Sequence, residues 1–100
     1  MSLYRFTPQA VDDLFQIWSY IADDRVDAAN RVEEAIYEAC AFLVKSPLAG
    51  RIRKDLTSQP VRFWPVQPYP NYLIIYSPDS TPLEVIRIIH GARSIRSVLP

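Results

Sequence analysis

Apolar and polar positions alternate in two regimes along the chain. Between Pro8 and Lys45 apolar residues recur every three or four positions, whereas from Val61 onward they gather in short runs rich in β-branched and aromatic side chains. The first spacing is that of a helix with one buried face; the second is that of strands. Val11, Leu14, Phe15, Trp18, Ile21 and Ala22 form the first stripe, widened by Ile17. Thr7-Pro8 stands before it, a capping hydroxyl and a proline for the first helical position, with Asp12 and Asp13 near the positive end of the dipole. This predicts a helix over 8–22. Ala28, Val32, Ala35, Ile36, Ala39 and Leu43 mark a second helix that begins near Asp27 and stops at Ser46-Pro47. Asp27 and Arg31, four apart, are placed to pair on its outside. The short polar link between the stripes makes the two helices antiparallel neighbours.

Leu3 to Phe6 alternates, with Tyr4 and Phe6 on one face, and reads as a short strand. Val61 to Val66 reads as another, and Pro65, which has no N–H to donate, puts it at a sheet edge. The densest stretch is Tyr72 to Ile89: two apolar runs, 72–76 and 83–89, joined by the turn residues 77–82. Runs apolar on both alternating faces suit strands covered on both sides. This hairpin is therefore expected at the centre of the sheet, with the N-terminal half as its cover. The order is β-α-α-β-β-β, an α+β fold with a helical hairpin packed on a mostly antiparallel sheet.

One hundred residues make one domain, 1–100, with a modest core. Cys40 is the only cysteine, so no disulfide forms within the chain, and its place in a helical stripe reads as core. A lone cysteine, no apolar block before Arg5 and Pro8, and no run near ~20 apolar residues together fit a cytoplasmic protein without a signal peptide or membrane contact. Net charge is zero, but residues 1–50 carry four bases against eight acids and residues 51–100 seven against three. The basic half could meet an acidic protein or a small patch of phosphates. A neutral chain is poorly suited to gripping nucleic acid unaided.

Chemistry narrows to a few residues. Asp23, Asp24 and Asp27 lack the glycine and distal glutamate of a calcium loop and read as a link and a cap. His90 is the only histidine and no ligand pair has metal spacing, so neither metal nor other cofactor is expected. RNA cleavage without metal needs a base, cations for the developing phosphorane charge, and an acid. Arg62, Arg87 and His90 are the candidates, with Tyr72 or Tyr76 as a further acid or base. Arg87 and His90 are an odd number apart and face opposite sides of a regular strand unless it bends. The competing reading of Arg51, Arg53, Lys54, Arg62, Arg87, Arg93 and Arg96 is a basic docking rim. On an edge strand one ring of Phe63-Trp64 should face away from the core, as an interface anchor or a partly buried lid.

The succession FTPQAVDDLFQIWSYIA, AANRVEEAI, SPLAGRIRKDL, VRFWPV, YLIIY and LEVIRIIHGARS resembles the ParE branch of the RelE/ParE toxin superfamily, from about Phe6 to Ile95. Pro47, Gly50, Arg51, Leu56, Arg62, Tyr72, Tyr76, Arg87, His90, Gly91 and Arg93 match its pattern; Ser77 and Ser94 depart from it. The resemblance implies the same element order and a small bacterial toxin of a type II toxin–antitoxin system. ParE-type members poison DNA gyrase, and RelE-type relatives cut messenger RNA on the ribosome. The neutral balance, and a tail after Arg96 with no titratable side chain, favour the gyrase-directed, non-enzymatic reading. Target contact is then expected at Arg93, Arg96, Arg51 and Arg53, and antitoxin contact at Trp64, Phe63 and Arg62. The alternatives are a ribosome-dependent endoribonuclease using Arg62, Arg87 and His90, and a non-toxic binding-only relative. The antitoxin is expected to bring an amphipathic, acidic segment that folds into an apolar groove on the helical hairpin or a sheet edge.

Overall fold

Thr7 and Pro8 start the first helix as their chemistry dictates. In the computed structural model, which describes residues 3–91, Thr7 is extended and its hydroxyl oxygen accepts from the Ala10 N–H at 3.1 Å. Helix α1 then runs Pro8–Ala22 and α2 Val26–Lys45. Asp27, in the first turn of α2, takes Arg25 at 2.9 Å and the expected Arg31 at 3.3 Å. The alanine-rich face of α2 buries fully: Ala29, Val32, Ala35, Ile36, Ala39, Cys40 and Leu43. In α1 only Ala10 and Leu14 are buried, and the expected stripe overshoots. Val11 and Phe15 are 56% and 66% exposed. The apolar arc of α1 is wider than its contacts with α2 and the sheet, so its outer margin stays in water.

The strands are β1 (Tyr4–Phe6), β2 (Arg62–Pro65), β3 (Tyr72–Ser77) and β4 (Leu83–His90), in sheet order β1-β4-β3-β2. The hairpin β3-β4 is central, as expected. The first strand joins the last in parallel, Tyr4 opposite Leu83, and the other pairings are antiparallel. Pro65 sits where its missing N–H does no harm. Phe63 exchanges both backbone bonds outward with Arg51, at 2.8 and 2.9 Å, while the Val66 N–H turns inward to the Tyr72 carbonyl. By the period of two, Pro65 falls on the outward side with Phe63.

A register shift breaks the β3-β4 ladder: Ile75 faces Arg87, yet Tyr76 faces Val85, leaving Ile86 as the extra residue of a bulge in β4. Parity changes there, so Val85 and Ile88, three apart, both pack on the helix-side core. The bulge lies before Arg87 and the ladder from Arg87 to His90 is regular, so those two residues stay on opposite sides of the strand. The bulge lies where β1 runs out, and α1 takes over as neighbour of β4. The Thr7 hydroxyl donates to the Ile86 carbonyl at 2.6 Å, and the Ile88 N–H donates to Asp13 Oδ2 at 3.0 Å. Asp13 also accepts from Arg87 Nε at 2.7 Å and from a second guanidinium nitrogen at 2.9 Å. Asp13 therefore closes a strand edge and neutralises a strand cation, beyond any service to the helix dipole.

The sheet is covered on both faces, but not only by the N-terminal half. The helices cover Ile74, Tyr76, Leu83, Val85 and Ile88. On the other face Val61, Phe63, Ile75 and Ile89 form a second cluster with Leu56, Leu73 and Ile86, under the 51–61 segment. Ile74 and Ile75, adjacent and both 0% exposed, bury opposite faces of the same strand. Each such side chain stabilises by about 2–3 kcal/mol, which is why a doubly apolar run takes the central position. Cys40 is buried and desolvation pushes its thiol up to about 12. Among the described residues no helix is long and apolar enough to cross a membrane.

Candidate functional site

The two edges of the sheet are treated differently. The β2 edge is closed by the Arg51–Phe63 bridge and by Pro65. Among the described residues the outer edge of β1 has no strand beside it. The Leu3 carbonyl and the Thr7 N–H bond inward to Leu83 and Val85, so the backbone groups of Tyr4 and Phe6 point outward. Beside them lies an open groove of about 630 Å³, lined by Leu3, Tyr4, Phe6, Val11, Leu14 and Tyr37, with Arg5 at its margin. Its floor is aromatic, with ring centroids 6.0 Å apart for Tyr4–Phe6 and 6.2 Å for Phe6–Tyr37. The overshooting margin of α1, Val11 and then Phe15, extends the apolar surface beyond it. An open strand edge beside apolar pockets is the arrangement that accepts an extended or amphipathic polypeptide segment.

The second exposed feature lies between α2 and β2. Tyr76 donates its hydroxyl proton to the Pro47 carbonyl at 2.7 Å and accepts the Gly50 N–H at 2.9 Å. Arg62 donates to the Gly50 and Leu48 carbonyls at 2.8 and 3.2 Å. The loop comes so close that a Cβ on Gly50 would lie 2.6 Å from the Tyr76 oxygen. On the outside of this pinned turn Leu48, Arg51, Ile52, Arg53 and Lys54 are exposed, and Arg53 is held by Asp55 at 2.8 Å.

The expected site residues fall into separate places. Arg93 and Arg96 lie outside the described residues. Arg51 and Arg53 are on the exposed loop. Of the trio Arg62, Phe63 and Trp64, Arg62 is engaged with the loop carbonyls and Phe63 is only 4% exposed in the second cluster. A partner would have to displace the 51–61 segment to reach Phe63. Trp64 is half-buried and stacks on Phe42 with centroids 5.0 Å apart. Neither ring stands free of the protein, because both faces of β2 are covered; Trp64 takes the partly buried of the two expected places. Arg62, Arg87 and His90 do not converge. Arg87 is committed to Asp13, and His90 meets Tyr72 edge-on at 5.4 Å. In the ladder Arg62 is opposite Tyr76 and His90 is opposite Tyr72, four residues or roughly 13 Å apart along β3. Burial pushes the Tyr72 and Tyr76 phenols above their ordinary value, which makes either a poor source of phenolate at neutral pH.

Comparison with known proteins settles the family. The family model for the ParE toxin of type II toxin–antitoxin systems, parDE, matches residues 4–95. The chain belongs to the ParE toxin family. A solved chain of the chromosomal ParDE toxin–antitoxin system from P. aeruginosa has the same fold, with a TM-score of 0.71 and 18% identity over 87% of this chain and 92% of that one. No curated protein matches the sequence. In this ParE-family chain the groove residues Leu3, Val11 and Tyr37 and the loop residues Leu48 and Ile52 carry no motif. For the groove, the excess width of the α1 stripe was the one trace in the sequence.

Proposed function

We propose that this ParE-family chain acts on DNA gyrase by binding and is silenced by an antitoxin segment seated in the groove along β1. One observation carries the choice of binding over RNA cleavage. Arg62, Arg87 and His90 each serve a different part of the framework, so no phosphate could meet all three. Family membership supports the antitoxin partner. The open β1 edge and its aromatic floor support a seat there, which moves the antitoxin contact away from Arg62, Phe63 and Trp64 on the closed edge. Target contact falls to the basic half, with Arg51 and Arg53 exposed on the pinned loop and Arg93 and Arg96 beyond the described residues. The test is gyrase supercoiling in the presence of purified, partner-free protein, with cleaved DNA scored in the same reaction. Inhibition with trapped cleavage is expected. Normal supercoiling with a folded sample, and messenger RNA cut on ribosomes instead, would overturn the proposal in favour of the endoribonuclease.

A further inference from the structure

We infer that the pinned loop between α2 and β2 is a docking surface for an acidic, partly apolar protein surface on the toxin's target, with Leu48 and Ile52 contributing to affinity beside Arg51 and Lys54. The inference rests on the toxin reading above but not on gyrase being the target. Three observations carry it. The first is exposure: Leu48 and Ile52 are 67% and 53% exposed in a segment that also buries Gly50 and Thr57. The second is rigidity. Six hydrogen bonds tie Pro47, Leu48, Gly50 and Arg51 to Arg62, Phe63 and Tyr76 of the sheet. A loop held in one shape loses little freedom when a partner lands on it. The third is charge. Lys45, Arg51 and Lys54 are exposed around these apolar residues, while Asp55, the local acid, is taken up by Arg53.

The mixture selects the partner. Firm electrostatic grip on nucleic acid draws on roughly 6–10 phosphate contacts, more than this loop offers, and phosphates do nothing for an exposed leucine or isoleucine. A protein surface with carboxylates around an apolar centre satisfies both parts of the loop, and electrostatic complementarity fixes its orientation. The loop lies at the β2 edge and the groove at the β1 edge, three strand spacings away, about 14 Å. A segment confined to the groove therefore leaves the loop uncovered.

The experiment compares the full chain with Leu48→Ser/Ile52→Ser and with Arg51→Ala/Lys54→Ala. Each is read as the concentration that half-inhibits purified gyrase, as viable counts after induction without a partner, and as binding to a DNA duplex. A urea midpoint for each variant checks that the fold is intact. The expected result is at least a tenfold loss of gyrase inhibition and of killing for both variants, with unchanged urea midpoints. A potent apolar variant beside an inactive basic one would show that the loop meets phosphates and would overturn the inference, as would two variants as active as the parent. If the parent kills without inhibiting gyrase, the gyrase target falls and the killing arm alone judges the loop. A parent that does neither overturns both.

Discussion

Replacing Asp13 with alanine tests the claim that α1 finishes the edge of β4 where β1 stops. The substitution removes the acceptor of two guanidinium bonds, at 2.7 and 2.9 Å, and of the Ile88 N–H at 3.0 Å. The Asp13 and Arg87 side chains are 13% and 22% exposed, so neither is fully desolvated. Breaking a fully buried pair costs about 3–5 kcal/mol, and exposure at this level lowers that to about 2–4 kcal/mol. The lost backbone bond accounts for about 1 kcal/mol of that total. Global stability of such a domain is about 5–15 kcal/mol, so the variant remains folded in water unless the parent is at the low end. With a urea slope of about 1–1.5 kcal/mol per molar for this size, the midpoint falls by roughly 1.3–4 M. Asp13→Asn keeps an acceptor and should cost about half as much. The Asp13→Ala, Arg87→Met cycle should give a coupling of about 1–3 kcal/mol. Faster hydrogen exchange at the Ile88 amide would localise the effect. An unfolding free energy for Asp13→Ala within about 0.5 kcal/mol of the parent, together with near-zero coupling, would refute the reasoning.

Other outcomes follow from the same structure. Gly50→Ala should lower stability by about 1–3 kcal/mol in urea titrations, since its Cβ would meet Tyr76 at 2.6 and 2.8 Å and the Phe63 carbonyl at 3.0 Å. Tyr76→Phe should cost about 1–3 kcal/mol by leaving the buried Gly50 N–H without its acceptor. Alkaline titration should erode stability. Cys40 is raised to about 12 and Tyr4, Tyr37, Tyr72 and Tyr76 are raised as well, so each favours the folded state fully below its unfolded value and loses that contribution as pH climbs through the folded one. A urea midpoint that holds steady from pH 9 to about 12 would contradict this. Phe15→Ser, on the exposed margin of α1, should change stability by less than about 0.5 kcal/mol. It should weaken antitoxin binding at least tenfold by calorimetry, and unchanged binding would move the antitoxin away from the α1 margin.

Local chemistry alone determined much of this protein. Thr7-Pro8, Ser46-Pro47 and the 77–82 turn set the element boundaries, because capping, missing N–H groups and turn propensity act over a few residues. The doubly apolar run of Tyr72 to Tyr76 announced a central strand, and Pro65 an edge. The order of the family's pieces also made its membership legible before any coordinate. What tertiary structure decided were matters of pairing between distant segments. The parallel union of β1 with β4, the bulge at Ile86 and the meeting of Asp13 with Arg87, 74 residues away, leave no periodic trace. For the same reason Arg62 and Tyr76 looked like candidates for chemistry until the loop they hold was seen. The α1 stripe records which residues are apolar, not how wide a face the neighbours cover. Val11 and Phe15 therefore read as core and proved exposed, Val11 as part of the groove lining, since burial depends on the packing partner and not on the helix that presents the side chain.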